Sequence, residues 1–402
     1  MPRISNEKVL AILIGLPSLY LYLSGLGQFF SIFSIVKSFI YPIVYLFGLA
    51  AYQRTIKKKN NFIFILVVSF VIIFTVLMNE NITKYLIDTS SIQTIIISDL
   101  FLLYLVAFPA FFIAKETANF ELLLEELYTI GYVIVTLFSI TFFLLVFVYK
   151  VSFDYMNITY GAIPWLFFVS GYSMYNKKRV ALIISFVSIA FIMISGCRGA
   201  TVTTFLFGIL LYISAIKNNF TAKKLVILLF LILIGIVVLV NLDTIISALY
   251  YSLKEIGFNS RTLELYLGLG YEKGLNHYSD RAVLQTPLIE DFNLLGHGIY
   301  SDRVLLVGVY AHNVLIEWIY DFGFLIGGGL CLYFIGKIVS KCKVLFKTNR
   351  TSLRIILAAC ISVMVCKYMV SSSYLHAPEF WVLLGLLVNK KMYLDNTLKQ
   401  RR

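Results

Sequence analysis

Apolar runs of about 20 residues recur from one end of this 402-residue chain to the other. A run of that length, wound as an α-helix rising 1.5 Å per residue, crosses a hydrocarbon core of roughly 30 Å. In lipid every backbone N–H and C=O must find a partner, which leaves helices or closed barrels as spanning structures. Barrel strands alternate polar and apolar side chains, and these runs do not alternate. Composition agrees, with 60% apolar and 14% charged residues and a mean hydropathy of +0.87, far from the soluble average. The chain is therefore expected to be all-α, a polytopic integral membrane protein.

Spans are expected near 9–27, 35–52, 61–78, 95–114, 130–149, 160–176, 180–196, 200–216, 225–241, 318–339, 354–371 and 374–389. That makes twelve, or ten without the second, which carries Lys37, and the short last one. The division is then an N-terminal helix bundle over 1–240, a large extracytoplasmic loop with site motifs over 241–317, and C-terminal helices with a tail over 318–402. The first apolar stretch lacks a small-residue cleavage site and reads as an uncleaved helix. Segment 115–129 resembles an amphipathic interfacial helix, with Leu122, Leu123, Leu124 and Leu127 on one side; a solvated extension of the flanking helices is the other reading.

The net charge of +13 follows topology and does not indicate a nucleic-acid partner. Basic residues cluster between spans, as at Lys57-Lys58-Lys59, Lys177-Lys178-Arg179 and from Lys337 to Arg354, the pattern of loops retained in the cytoplasm. Residues 243–303 hold eight acidic residues against five basic ones and fall on the outer side, with both termini inside. The five cysteines have neither disulfide nor zinc spacing.

Positive charge on the translocated side runs against the topological bias, so Arg198, Arg261, Arg281 and Arg303 each need a reason. Arg198 lies between two apolar stretches within Ser195-Gly196-Cys197-Arg198-Gly199-Ala200. At membrane depth an arginine costs roughly 2.5–3.5 kcal/mol and tends to face a cavity or partner. Its planar fork suits a phosphate, while snorkelling to the interface is the plain alternative. For Arg303 the alternative is a surface ion pair with Asp302. The small residues around Arg198 permit a tight turn or a close approach. His312, with a near-neutral pKa, suits a general base acting on a sugar hydroxyl. Asn313 and Glu317 stand four apart on one helical face; a His–Asn pair capping the helix start explains the same residues. Gly296-His297-Gly298 lacks a nucleotide-loop pattern and reads as a turn at membrane re-entry. A metal site on His277, His297 and His312 has no supporting spacing.

These segments resemble a known family. Ser195-Gly196-Cys197-Arg198-Gly199-Ala200 is similar to the S-x-S-R-G-A signature of the O-antigen polymerase and O-antigen ligase superfamily, with cysteine where serine is usual. Ser279-Asp280-Arg281 with Leu295-Gly296-His297-Gly298-Ile299 resembles its S-G-R and L-x-G-x-G-I stretches, with Asp280 replacing a common glycine. Tyr310-Ala311-His312-Asn313 with Leu315, Glu317 and Gly323 resembles its A-H-N motif. The resemblance implies a GT-C-like glycosyltransferase that needs no metal or other cofactor. Its donor and acceptor would be undecaprenyl-diphosphate-linked oligosaccharides, and its pathway would include a chain-length regulator and a flippase. Carried over, Arg198 and Arg281 would hold the leaving diphosphate and His312 would activate the acceptor hydroxyl. Asn313 or Glu317 would orient it, and Arg261, Arg303 and Tyr310 would contact the phosphate or sugar. Polymerase and ligase share these motifs; a composition rich in Ile, Phe and Lys favours polymerase by association. A lipid-oligosaccharide transporter is the alternative of another class, disfavoured by the absence of a visible repeat.

Overall fold

The computed structural model of the chain describes residues 4–27, 29–78, 90–149, 155–195, 197–216, 242–255, 280–375 and 377–392, with 233, 257, 263 and 267. All regular structure among the described residues is helical. The first group is α1 (Asn6–Leu26), α2 (Ser31–Ser38), α3 (Ile40–Thr55), α4 (Lys59–Met78), α5 (Ser90–Leu102) and α6 (Phe108–Glu116). Next come α7 (Phe120–Phe143), α8 (Tyr155–Asn176), α9 (Arg179–Ile194), α10 (Arg198–Ile216) and α11 (Leu242–Glu255). The last are α12 (Asp280–Glu290), α13 (Ser301–Leu305), α14 (Val314–Phe322), α15 (Gly328–Lys347), α16 (Thr351–Ser362) and α17 (Pro378–Val388). Wider π turns extend α5, α7 and α16 at Leu103–Ala107, Leu144–Val148 and Val363–Lys367.

Among the described residues five helical stretches are long and apolar enough to cross a membrane: Asn6–Leu26, Ser31–Thr55, Ile96–Glu116, Phe120–Val148 and Val314–Lys347. Shorter apolar helices cover Lys59–Thr75, Arg179–Ile194, Gly199–Ala215 and Pro378–Val388. The expected span at 225–241 lies outside the described residues. Large apolar side chains also point outward: Leu46, Phe70, Phe186 and Leu332 are 66%, 67%, 63% and 74% exposed. An outer surface of this kind suits lipid and would aggregate in water.

Helices α1, α7, α8 and α16 form the central packing. Two of its buried aromatics keep their polar ends satisfied. Trp165 Nε1 donates to Ser18 Oγ at 2.9 Å, and the Tyr22 hydroxyl donates to Ile158 O at 3.0 Å. The basic segments gather at one end. There Lys58 pairs with Glu116, Lys391 Nζ donates to Glu116 O at 2.6 Å, and Arg354 Nη1 donates to Ser214 O at 3.5 Å.

The structure chooses between the two readings of segment 115–129, in favour of an extension of the flanking helix, and corrects the span expected at 318–339. Segment 115–129 does not contain a separate interfacial helix. Asn119 caps the first turn of α7, and Leu123, Leu124 and Leu127 are buried against the protein, so the leucines serve packing. Stretch 318–339 is not one straight span. Residues sixteen apart in a straight helix stand about 24 Å apart, yet the rings of Trp318 and Phe334 are 5.5 Å apart and Cys331 Sγ meets Leu315 O at 3.7 Å. The chain doubles back at Gly323, whose φ of 71° and ψ of 174° is a conformation essentially reserved for glycine. A Cβ there would collide with Leu294 O and Gly296 N. Within 241–317 lie the helices α11, α12 and α13.

The fold-back is held by the 293–298 segment. His297 N and Gly298 N donate to Tyr320 O (2.9 Å) and Asp321 O (2.8 Å), the open carbonyls at the end of α14. Phe324 N and Leu325 N return bonds to Asn293 O (3.1 Å) and Leu294 O (3.3 Å). Gly296-His297-Gly298 is thus a turn that caps a broken helix.

Candidate functional site

Helix α10 begins at Arg198, after a three-residue break from α9. Ser195 Oγ holds that break by donating to Ile192 O at 2.7 Å and accepting from Cys197 N at 3.3 Å. The next residue, Gly199, lies so close to Tyr160 and Val370 that a Cβ would collide with the Tyr160 hydroxyl. The glycine therefore serves a close approach. On the other side of the 368–370 stretch, Val314 N donates to Tyr368 O at 3.1 Å. The start of α10 and the His312-Asn313 turn thus flank one short segment. Helix α12 reaches the same turn, because Gln285 Nε2 donates to Ala311 O at 3.2 Å; Arg281 stands one helical turn before Gln285. At the level of the backbone, Arg198, Arg281 and His312 come from three elements toward one place. Arg261 and the histidines at 277 and 376 lie outside the described residues.

His312 has a φ of 55°, a left-handed conformation that histidine visits more readily than most residues. Its ring lies 4.2 Å from that of Tyr310, tilted by 43°. Asn313 caps α14, its Oδ1 accepting from Leu315 N (3.0 Å) and Ile316 N (3.3 Å). His297 sits at the other end of the nine-residue α14, about 13 Å along the axis. It stacks on Tyr320 at 4.4 Å and bonds Asp291 O at 2.7 Å. His297 and His312 therefore do not share an ion.

Arg303 and Glu317 are placed together inside the protein, 2% and 0% exposed. Arg303 Nη1 donates to Asp302 Oδ1 (2.8 Å) and Glu317 Oε1 (3.0 Å), and Nη2 donates to Ser373 Oγ (2.7 Å). Asp99 Oδ2 lies 3.9 Å from Nη2. Burial works against the charge of Arg303, but Asp302, Glu317 and Asp99 outweigh it and hold the guanidinium well above its ordinary pKa. Around this pair, Ala311 N donates to Asp302 Oδ2 at 3.2 Å, tying the cluster to the His312 turn. The Tyr374 hydroxyl donates to Asp321 Oδ2 at 2.8 Å. Arg303 is thus a brace, its fork engaged by protein groups, with its Cζ 5.8 Å from the ring centre of Tyr310. The ion pair with Asp302 exists, but it is buried where a surface pair was the alternative.

The cluster also contains residues that motif reading passed over. Asp302, Glu317 and Asp321 present carboxylate oxygens within 4.8 Å of one another. The available signal was the i, i+4 spacing of Glu317 and Asp321, together with Asp99 inside an apolar run. A second buried ion pair, Lys367 with Glu379, lies beside Tyr368. A cavity of about 470 Å³ opens between α4 and the 295–298 turn, walled by Phe70, Phe74, Leu295, Phe322, His297 and Asp321.

No family model matches the chain, and no curated protein or solved structure matches it.

Proposed function

We propose that this chain is a polysaccharide polymerase of the O-antigen or capsule kind, with ten to twelve spans, at the outer face of a bacterial cytoplasmic membrane. It transfers an undecaprenyl-diphosphate-linked glycan to a sugar hydroxyl of a second lipid-linked repeat unit. The anomeric carbon–oxygen bond to the diphosphate breaks and a glycosidic bond forms. Undecaprenyl diphosphate leaves, and the acceptor proton passes to a base. In this reading Arg198 and Arg281 offset the charge on the leaving diphosphate, the role that fixed cationic groups fill at developing anions. His312 takes the proton. No metal is assigned to the transfer step.

The observation that carries the reading is that the start of α10, at Gly199, and the His312 turn both meet residues 368–370, while α12 meets the same turn through Gln285. The test is complementation of cells that lack the protein. Wild type restores a ladder of chain lengths, whereas Arg198→Lys and His312→Ala accumulate in the membrane and lower extension by at least about a hundredfold. Normal ladders from either variant contradict the assignment. Restored attachment of finished chains to lipid A core, without extension, identifies a ligase.

One observation favours a transporter as the second reading. Asp99, Glu317, Asp321, Lys367 and Glu379 lie on apolar helices or at their ends, buried or nearly so, and intramembrane charges mark ion and substrate paths. Translocation of lipid-linked units without any lengthening would select it.

A further inference from the structure

The charges of the buried cluster do not balance. Four carboxylates, Asp99, Asp302, Glu317 and Asp321, are each at most 2% exposed, and among the described residues the cation paired with three of them is the guanidinium of Arg303. If all are ionised, three negative charges remain in a region with almost no water contact. Uncompensated buried charge is expensive, so such groups are paired, take up a proton or bind a cation.

The acceptor capacity points the same way. Among the described residues, six hydrogen bonds reach Asp302, Glu317 and Asp321. Three ionised carboxylates offer about twelve lone-pair sites. Several sites therefore lack a donor at the place where the three groups converge.

Tyr300 supplies an independent sign. Its side chain is 0% exposed, and its hydroxyl is buried without a hydrogen-bond partner. A buried hydroxyl left unpaired is rare enough to need an explanation. Its ring centre lies 5.2 Å from the guanidinium carbon of Arg303, the group that Asp302 and Glu317 hold, so the tyrosine stands beside the same cluster. Ser301 Oγ, one residue on, donates to Gly298 O and lies 3.5 Å from Asp321 Oδ1.

We propose that Asp302, Glu317 and Asp321, with the Tyr300 hydroxyl beside them, hold a hard divalent cation. All-oxygen carboxylate sets select calcium, magnesium or manganese. Calcium–oxygen distances of 2.3–2.6 Å place opposite ligands roughly 4.6–5.2 Å apart, and carboxylate oxygens that lie within 4.8 Å of one another can share one such ion. Magnesium, with opposite ligands about 4.1 Å apart, demands a tighter octahedron. The cavity that reaches Asp321 between α4 and the 295–298 turn provides a route in. A bound cation joins the 300–303 turn to α14 and secures the base of the His312 turn through Asp302 and Ala311 N. This site is separate from the diphosphate contacts proposed above, and its occupancy is read without any glycan.

The test uses the purified full-length protein, stripped with chelator, in detergent. Calcium, magnesium and manganese chlorides are titrated by calorimetry, and melting temperature is followed in parallel. The expected result is one saturable site per chain with a rise in melting temperature on binding. Asp321→Asn is expected to abolish that binding. Tyr300→Phe, which keeps the ring, is expected to weaken it by on the order of tenfold, the usual size for a group that supports a metal ligand. Two results overturn the proposal: no saturable binding of any of the three ions to the wild type, or unchanged affinity in folded Tyr300→Phe and Asp321→Asn proteins. If Asp321→Asn does not fold, the wild-type titration and Tyr300→Phe decide alone.

Discussion

Replacing Arg303 by methionine keeps an unbranched apolar stem of similar course and removes the guanidinium with its charge. The structure sets the size of the effect. Arg303 is 2% exposed and donates to two carboxylates and to Ser373. A hydrogen bond to a charged group contributes roughly 1.5–3 kcal/mol. Removing one partner of a buried ion pair destabilises by about 3–5 kcal/mol, because the other charge stays buried. An exposed pair provides the control. Lys58 and Glu116 are 57% and 30% exposed in their side chains, and such pairs contribute about 0–1 kcal/mol. Purified Arg303→Met and Lys58→Ala proteins would be unfolded by SDS titration in mixed micelles, with tryptophan fluorescence as the signal. Arg303→Met should lose several times more stability than Lys58→Ala. The double variant Arg303→Met with Glu317→Met should recover at least about 1 kcal/mol relative to simple additivity, since contacting charges couple by roughly 0.5–3 kcal/mol. Similar losses in the two single variants, or strict additivity in the double, would refute the picture of a buried brace.

Two further predictions concern the helix break and its neighbour. Gly323→Ala should cost about 1–3 kcal/mol or more, from its conformation and the collision with Leu294 O. Gly328→Ala, whose Cβ meets nothing within 4 Å, should be neutral or stabilising by about 1 kcal/mol; equal yields of monodisperse protein from both would contradict the fold-back. Asn313→Ala should lose about 1 kcal/mol as a cap while Asn313→Ser retains most of it. A serine variant as inactive in chain extension as alanine, yet stable, would instead assign Asn313 to the acceptor sugar.

The membrane class was legible because lipid imposes one rule on every backbone group, and apolar run length reports it directly. Basic clustering was equally plain, and the structure draws Lys58, Lys391 and Arg354 to one end of the bundle. The fold-back at Gly323 was not legible. Residues 314–347 read as one apolar stretch, and glycine within such a run usually serves helix packing. What reverses the chain is tertiary, namely the four backbone bonds from the 293–298 segment. The burial and pairing of Arg303 and Glu317 were not legible for a related reason. Sequence spacing shows that a charge exists and gives its position along a helix. It does not show that Asp99, some two hundred residues upstream, will meet it. Asn313, in contrast, followed a local rule, and capping was among the readings drawn from its position.

The central claim is the joining of lipid-linked glycans, and a reconstituted reaction tests it most directly. Lipid-linked repeat units, extracted from cells lacking this protein, would be incubated with the purified chain in liposomes and resolved by mass. Longer lipid-linked glycans should form, with one undecaprenyl diphosphate released per new bond, and Arg198→Lys protein should form neither. Repeat units that stay single while crossing the bilayer would contradict the claim.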